Sequence, residues 1–282
     1  MHNDPKEHGL AAEISESNLM TCKGGKAARR SSRFAFPAQR STVSPYMTVI
    51  TRFDVFPAEV VTRDSRVTVI ARAAGREFRA LLRNTGRLTD LIHPGAEILC
   101  LPKEGGKTAA QVLGTVVDDE RATLLDTLVQ ARAFETAAKR GLIPWLPGIV
   151  RREVRVRDSR LDYAIELAGK QGFLELKSAV HLHGECATYP DAPSARGRRH
   201  IALLTELSRN GYPCLIAFIA AHPAADRFCP DVETDPEIGK ALLAARAAGV
   251  GIHALKLHLT RAGAVVLDSP AIPVVLQSIS NR

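Results

Sequence analysis

Apolar and polar residues alternate in short runs between residues 48 and 122. Each run is rich in residues that favour strands, and each is bounded by a turn-forming segment such as Arg63–Ser65 or His93–Gly95. Several short strands at this spacing predict a small β-barrel or β-sandwich. The predicted strands are Val67–Ala73, Glu77–Leu82, Glu97–Leu101 and Gln111–Val117.

The pattern changes after residue 123, where longer elements follow one another. The run Cys214–Ala221 is continuously apolar, which is typical of a buried parallel strand. Val150–Val156 alternates apolar with charged residues, and Gly251–Leu259 is predicted as a further strand. Strands interleaved with helices indicate an α/β domain with a mixed central sheet. The predicted helices are Leu124–Gly141, Ser194–Asn210 and Asp235–Ala248.

The segment Ser159–Ser178 holds the candidate chemistry. Two strand-like runs in it are separated by a short turn at Gly169–Gly172. A hairpin would bring Asp162 on the first run beside Glu175 on the second. Because successive side chains of a strand point to opposite faces, Glu175 and Lys177 share one face. Two carboxylates and an ammonium group would then meet at the end of a sheet.

This grouping suits a metal-dependent nuclease, with Asp162, Glu175 and Lys177 as the candidate catalytic residues. Mg²⁺ and Mn²⁺ take carboxylate oxygens, so Asp162 and Glu175 are the candidate metal ligands. Glu135, on the first predicted helix, is a candidate third ligand. A lysine beside the metal can steady the nucleophile or the developing charge. The alternatives are a solvated strand face with a Glu–Lys pair and, for Glu135, an ordinary surface glutamate.

Composition adds a basic character and a set of cysteines. The formal net charge is +8, which suits a polyanionic partner such as DNA, and 45% of the residues are hydrophobic. The five cysteines are odd in number and form no C-x-x-C pair, so we expect reduced thiols and a cytoplasmic location. No apolar run approaches the length of a membrane-spanning helix, so no membrane partner is expected.

Basic residues gather at two further places. Arg196, Arg198 and Arg199 lie in the first turns of a predicted helix, where an anion would be stabilised. Arg155 lies on the polar face of the strand before Asp162. Both groups are candidate phosphate contacts, with plain surface basicity as the alternative. His181, His183 and Cys186 could suggest zinc, but a fourth ligand with suitable spacing is absent.

Residues 1–46 are polar and contain the segment CKGGKAARRSSR. We expect a disordered basic extension. Two alternatives stay open: a basic arm that contacts phosphates, and a translation start at Met47.

Several motifs in order resemble those of the sugar fermentation stimulation protein A family. They are RNTGRLTDLIHPGAEIL, SRLDY, FLELKS, TYPDAPSARGRRHI, CLIAFIAA and DRFCPD, and the resemblance runs from about Met47 to about Leu276. It implies DNA binding, an OB-like N-terminal barrel at 47–122 and an α/β domain similar to PD-(D/E)XK nucleases at 123–282. Leu161 stands where that nuclease label expects proline.

The segment Arg83–Gly86 matches a family element, but without its Cys and Pro. We expect Asn84, Thr85 and Gly86 to form a structural loop, because Asn and Gly tolerate turn conformations. Arg83 is a candidate nucleic-acid contact on the barrel. An alternative for this loop is a role facing a ligand.

Two functions follow from these observations. One is DNA binding with a nuclease-like Mg²⁺ or Mn²⁺ site that cleaves phosphodiester bonds. The other is a non-catalytic DNA-binding regulator, and its link to sugar metabolism is implied by the resemblance alone. No organic cofactor is expected, and the oligomeric state stays open, with a homodimer as one alternative.

Overall fold

The structure, a computed structural model, describes residues 47–276, so the predicted extension at 1–46 lies outside the described residues. Sixteen strands and three helices occur in the described range. The strands are β1 Thr48–Arg52, β2 Phe56–Ser65, β3 Thr68–Ala73, β4 Arg76–Leu82, β5 Glu97–Pro102, β6 Ala110–Val116, β7 Arg121–Leu124, β8 Gly148–Val156, β9 Ser159–Leu167, β10 Lys170–Ala179, β11 His181–His183, β12 Cys186–Tyr189, β13 Cys214–Ala220, β14 Arg227–Pro230, β15 Gly251–Thr260 and β16 Ala264–Ser269. The helices are α1 Thr127–Lys139, α2 Ala195–Arg209 and α3 Pro236–Ala247.

Five strands of the first half form a closed barrel. β2 pairs with β3, β3 with β4, β4 with β6 in parallel, β6 with β5, and β5 with β2 again. Val60, Leu82 and Val112 are fully buried inside it. The turn predicted at Arg63–Ser65 is wrong, because β2 continues to Ser65 and only shifts register on the way.

The second half is built on a mixed sheet. β10, β13 and β15 are parallel neighbours, whereas β9 and β8 extend the sheet in antiparallel fashion. Every residue of β13 is buried, as its apolar run predicts. One face packs on α1 and the barrel through residues such as Phe134, and the other packs on α2 and α3 through Leu204 and Leu242. The sheet therefore separates two apolar cores.

Helix termini follow the capping residues in the sequence. Asp126 caps α1 by accepting hydrogen bonds from the backbone N–H groups of Leu128 and Val129. Ser194 caps α2 by accepting from the N–H of Gly197. Gly211 follows the last turn of α2 with a φ of +86°, a left-handed conformation that glycine adopts without steric cost. These caps fix where α1 and α2 begin, beside the candidate site.

The barrel and the mixed sheet are joined through β7. This strand pairs with β6 of the barrel and with β15 of the mixed sheet. The boundary that the sequence suggests, between residues 122 and 123, falls within β7. The result is one continuous sheet of 13 strands, and a small separate sheet is formed by β11, β12 and β14.

Two further expectations need correction. Val150 is exposed and not part of the buried face of β8, because a register shift between Ile149 and Arg151 turns the strand. Cys186 and Cys229 form a disulfide, so reduced thiols are wrong for this pair. The parallel pairing of β12 with β14 brings the two cysteines together, although 43 positions separate them. Cys100 and Cys214 are buried free thiols.

Within residues 47–276, none of the helices combines the length and the apolarity that crossing a bilayer requires.

Candidate active site

The β9–β10 hairpin forms as the sequence predicts, with a tighter turn. The connection is Ala168 and Gly169, both with positive φ, and β10 begins at Lys170 instead of after Gly172. The register places Tyr163 opposite Leu174, so Asp162 follows beside Glu175. Asp162 accepts a hydrogen bond of 2.8 Å from the backbone N–H of Leu176. The hairpin thus brings the two predicted acidic residues together.

Glu175 is the centre of the site. It is 2% exposed, and its Oε1 atom accepts hydrogen bonds from Lys177 and from His200, each at 2.5 Å. Since an ionised carboxylate only accepts, the Nδ1 atom of His200 must carry the proton. Among the described residues, no hydrogen-bond partner reaches the buried Oε2 atom of Glu175. One oxygen of this carboxylate is therefore fixed in place, and the other is left available for a ligand.

The alternation along β10 explains this arrangement. Leu174 packs in the core beside the barrel, whereas Phe173 packs in the core beneath α2. Glu175 and Lys177 share the face of Phe173, which confirms the predicted strand geometry. His200 reaches them from the second turn of α2, which Ser194 starts at a fixed position.

Asp162 binds a proton more readily than Glu175 does. Burial, together with the nearby charge of Glu175, raises the pKa of Asp162 to about 6, although the N–H of Leu176 and the charge of Lys177 oppose the shift. Burial would also raise the pKa of Glu175, but the hydrogen bond from His200 and the charge of Lys177 bring it below its ordinary value. Glu175 is therefore the more firmly ionised of the two carboxyl groups.

Lys177 remains a cation although it is deeply buried. Burial alone would lower its pKa, but the charge and hydrogen bond of Glu175, together with the nearby Tyr189 and Asp162, outweigh this effect and raise the pKa above the ordinary value. Its side chain is 11% exposed. Lys177 therefore presents a fixed positive charge beside the two carboxylates.

These residues lie in a cleft of about 600 Å³ between the barrel and the mixed sheet. The barrel contributes Arg66 and Thr85, β8 contributes Arg152, and the start of α2 contributes Arg196. The acidic groups and Lys177 therefore share the cleft with three arginines.

The predicted arginine contacts separate into two groups. Arg196 lines the cleft, whereas Arg155, Arg199 and Arg83 do not. Arg198 forms an ion pair with the buried carboxylate of Asp235, at the start of α3. The backbone carbonyl of Arg83 accepts from Thr127 at the start of α1.

The structure does not bring Glu135 into the acidic pair. Glu135 accepts a 2.8 Å hydrogen bond from the hydroxyl of Tyr163 and lies 3.0 Å from Nε of Arg152. Across residues 47–276 no group of three or more His, Cys, Asp or Glu residues is placed to hold a metal ion. The prediction of Glu135 as a third ligand is therefore corrected. The zinc alternative fails too, since Cys186 is in a disulfide and His181 contacts Asp191.

The loop Asn84–Gly86 lies at the edge of the cleft and is braced from several sides. The Nδ2 group of Asn84 donates to the carbonyl of Leu125, and its Oδ1 accepts from the N–H of Gly86. Arg66 donates to the carbonyl of Thr85. A Cβ atom at Gly86 would lie 1.9 Å from Oδ2 of Asp191, so only glycine fits there.

Three residues of the site were not singled out from the sequence. Arg66 and Arg152 are ordinary arginines of strands and turns in the sequence pattern, and only the fold brings them to the cleft. His200 had a signal, because it lies in the motif TYPDAPSARGRRHI, but its contact with Glu175 spans 25 positions. Local spacing cannot reveal such a contact.

The residues present fit a hard divalent cation that keeps part of its water shell. Mg²⁺ is commonly held by one or two carboxylates, with water and substrate phosphate completing its coordination. Asp162 and the Oε2 atom of Glu175 offer such a donor set, and Oε2 is buried without another hydrogen-bond partner among the described residues. A cation would relieve the cost of burying that oxygen.

Comparison with known proteins identifies the family of this chain. The profile of the sugar fermentation stimulation protein RE domain matches residues 128–263. A sugar fermentation stimulation protein homolog of Pyrococcus furiosus is 42% identical over 214 residues, which are 75% of this chain and 93% of that protein. The chain belongs to the sugar fermentation stimulation protein family. A homolog of Archaeoglobus fulgidus is 38% identical over 217 residues, covering 77% and 94% of the two chains.

A solved structure of the same family is similar in fold. It is described as the structure of Pyrococcus furiosus SfsA in complex with Ca²⁺, and it matches with a TM-score of 0.77 and 40% identity. The match covers 81% of this chain and 99% of that one. The region matched by the family profile includes Asp162, Glu175, Lys177 and His200.

Proposed function

We propose that this protein binds DNA and hydrolyses its phosphodiester bonds with a divalent metal ion. The observation that supports this most directly is the state of Glu175. Its Oε1 atom is held by Lys177 and His200, and its buried Oε2 atom has no hydrogen-bond partner among the described residues. A carboxylate arranged in this way suits a cation ligand, with Asp162 as the second ligand.

The proposed metal is Mg²⁺ or Mn²⁺. When bound, it would supply charge neutralisation at the scissile phosphate and lower the pKa of a water molecule. The related Pyrococcus furiosus protein is described in complex with Ca²⁺, also a hard cation with a preference for oxygen ligands. No organic cofactor is part of the proposal.

Four side chains near the proposed metal would have separate roles in the reaction. Lys177 holds a fixed positive charge beside the carboxylates, where it would stabilise negative charge that develops on phosphate oxygens. His200 holds the carboxylate of Glu175 in one orientation. Arg196 and Arg152 line the same cleft, and their guanidinium groups suit phosphate oxygens of the DNA backbone.

The finer assignment of the fold supports the same function. We propose that the closed barrel is OB-like, because its five strands close through a parallel pairing of β4 with β6. We propose also that the mixed sheet with its acidic hairpin is related to PD-(D/E)XK nucleases. The acidic pair and Lys177 stand on neighbouring strands, as that relationship requires, although Leu161 replaces the proline of the motif.

A cleavage assay tests the proposal. Purified protein is incubated with plasmid and with single- and double-stranded oligonucleotides, in the presence of Mg²⁺, Mn²⁺ or a chelator. We expect metal-dependent cleavage that Asp162→Ala and Lys177→Ala each reduce by about 100-fold or more. Glu166→Gln is the matched control, because Glu166 is an exposed carboxylate on the same hairpin.

Two results would decide against hydrolysis. Binding of DNA without cleavage under every metal condition, unchanged by Asp162→Ala, would favour the non-catalytic DNA-binding regulator. Cleavage that survives both substitutions would point to a contaminating nuclease. Thermal unfolding of each variant shows whether a loss of activity reflects a loss of fold.

A further inference from the structure

We infer that the cleft accepts a single, unpaired strand and excludes an intact duplex. The inference rests on the proposed function and names the substrate class of the same site. It follows from three features of the cleft: the depth of the acidic groups, its volume, and the bracing of the wall on the barrel side.

The reactive groups lie deep in the cleft. Glu175 is 2% exposed, and the side chain of Lys177 is 11% exposed. A phosphate must therefore enter the cleft to reach them. In a duplex, each phosphate sits on a broad convex surface and the second strand is held to it by base pairing, so one backbone cannot enter the cleft without the other strand.

The volume of the cleft is suited to one or two nucleotides. Its volume of about 600 Å³ is within the roughly 300–1,000 Å³ of clefts that enclose a single small ligand. Part of the lining is apolar, formed by Tyr189, Pro190 and Pro193 beside the arginines. The bases of an unpaired strand can turn toward such a surface, whereas the bases of a duplex are stacked inside it.

Hydrogen bonds to neighbouring segments hold the barrel-side wall of the cleft in place. Asn84 binds Leu125 of the segment before α1, and Thr127 binds the carbonyl of Arg83. On the other side, the carboxylate of Asp191 accepts hydrogen bonds from the backbone N–H groups of Arg87 and Leu88.

Asp191 packs tightly against the loop Asn84–Gly86. The carboxylate of Asp191 fills the space where any side chain at Gly86 would lie. His181 contacts Oδ2 of the same carboxylate at 3.2 Å and so helps to hold it in place. The loop is thus tied to both halves of the protein, and opening the cleft for a duplex would break several hydrogen bonds at once.

Two circular substrates of the same sequence test the inference. One is circular single-stranded DNA and the other is relaxed, covalently closed duplex DNA, so that neither offers a frayed end. With Mn²⁺ present, we expect the single strand to be cut at least about tenfold faster, the factor that corresponds to unstacking one base-pair step. Equal rates on the two circles would overturn the inference.

The outcomes separate this inference from the proposed function. Cleavage of neither circle by wild-type protein, with Mg²⁺ or with Mn²⁺, would refute the hydrolytic function itself. Cleavage of both at equal rates, abolished by Asp162→Ala, would leave that function standing and remove only the strand preference. Asp162→Ala protein provides a binding readout as well, through fluorescence anisotropy with a labelled single-stranded oligonucleotide and its duplex.

A variant of the wall adds a second measurement. Asp191→Asn keeps the shape of the side chain but weakens its hydrogen bonds to the barrel loop. We expect the preference for the single strand to fall in this variant, through a faster reaction on the duplex. Asp158→Asn, which changes a carboxyl group in the exposed β8–β9 turn, is the matched control. An unchanged preference in Asp191→Asn would contradict the bracing argument.

Discussion

The Nδ1 atom of His200 lies 2.5 Å from Oε1 of Glu175, and this contact joins the start of α2 to the centre of β10. His200 is 4% exposed, so the hydrogen bond is shielded from water. Partners that orient a metal-binding group commonly contribute 10–100-fold, as an order of magnitude, to metal affinity. His200 is therefore a positioning residue for the proposed metal site.

Replacing His200 by alanine should weaken metal binding. Without its donor, the carboxylate of Glu175 can rotate about Lys177, and Oε2 loses its fixed direction. We expect the affinity for Ca²⁺ or Mn²⁺, measured by calorimetric titration, to fall about tenfold or more. His200→Asn, which keeps a donor, should recover part of the affinity. His183→Ala serves as control, because His183 is exposed. Equal affinities for wild type and His200→Ala would rule out the positioning role.

Arg196 and Arg199 should differ in their effect on DNA binding. Both lie in the first turns of α2, but only Arg196 lines the cleft. Arg196→Ala should weaken binding to a single-stranded oligonucleotide and reduce the slope of log affinity against log salt by about one phosphate contact. Arg199→Ala should change neither quantity appreciably. Equal losses in both variants would show that the helix acts only through general positive charge.

Arg198 should matter for stability. Its guanidinium group pairs with the carboxylate of Asp235, which is 2% exposed and also accepts from the N–H of Ser194. Removal of the arginine leaves a buried carboxylate with fewer donors, so Arg198→Ala should lower the free energy of unfolding by about 1–3 kcal/mol. Urea titration measures this. In the double variant with Asp235→Asn, the loss of unfolding free energy should be smaller than the sum of the two single losses. A loss equal to that sum would argue against the Arg198–Asp235 ion pair.

Stability should fall in mild acid because of His253. This side chain is stacked on Trp145 at 4.4 Å, and burial lowers its pKa to about 4 from an ordinary 6.5. Below about pH 6.5 the unfolded chain binds a proton that the folded chain accepts only near pH 4. The stabilisation is therefore complete above pH 6.5 and is lost as the pH falls toward 4, by up to about 3 kcal/mol.

His253→Phe provides the test of that dependence. Phenylalanine keeps an aromatic ring against Trp145 but cannot bind a proton. Urea unfolding at about pH 5 and about pH 7 should show a dependence on pH that is shallower by nearly one proton in the variant. The pKa of His222 is also lowered to about 4, by burial and by the charge of Lys256. Its contribution to the pH dependence of stability should remain in the variant. An unchanged pH dependence in His253→Phe would contradict the assignment.

Local patterns in the sequence predict much of the fold. The apolar run of β13, the alternation of β10 and the predicted helix start at Ser194 are all short-range signals, and each corresponds to the element observed. The helix predicted from Leu124 starts only at Thr127, because Leu124 belongs to β7. Register shifts are harder, since they depend on the neighbouring strand. This is why the alternation of Val150–Val156 does not indicate that Val150 is exposed, and why the turn predicted at Arg63–Ser65 instead lies within β2.

Long-range contacts account for what the sequence does not predict at the site. Asp162 and Glu175 could be paired in advance because one hairpin turn relates them. His200 could not, since its contact depends on how α2 packs against the sheet. The Cys186–Cys229 disulfide depends on the parallel pairing of β12 with β14. Glu135 contacts Tyr163 and Arg152 instead of the acidic pair.

The double pairing of β7 has a consequence for how the polypeptide can be divided. A stop codon after residue 122 would cut through this strand and leave the edges of both β6 and β15 without a partner there. Uncovered edges of this kind recruit strands from other molecules. Fragments produced separately are therefore expected to aggregate or to reassociate, and the gene is expected to tolerate insertions at its surface turns far better than a break at this seam.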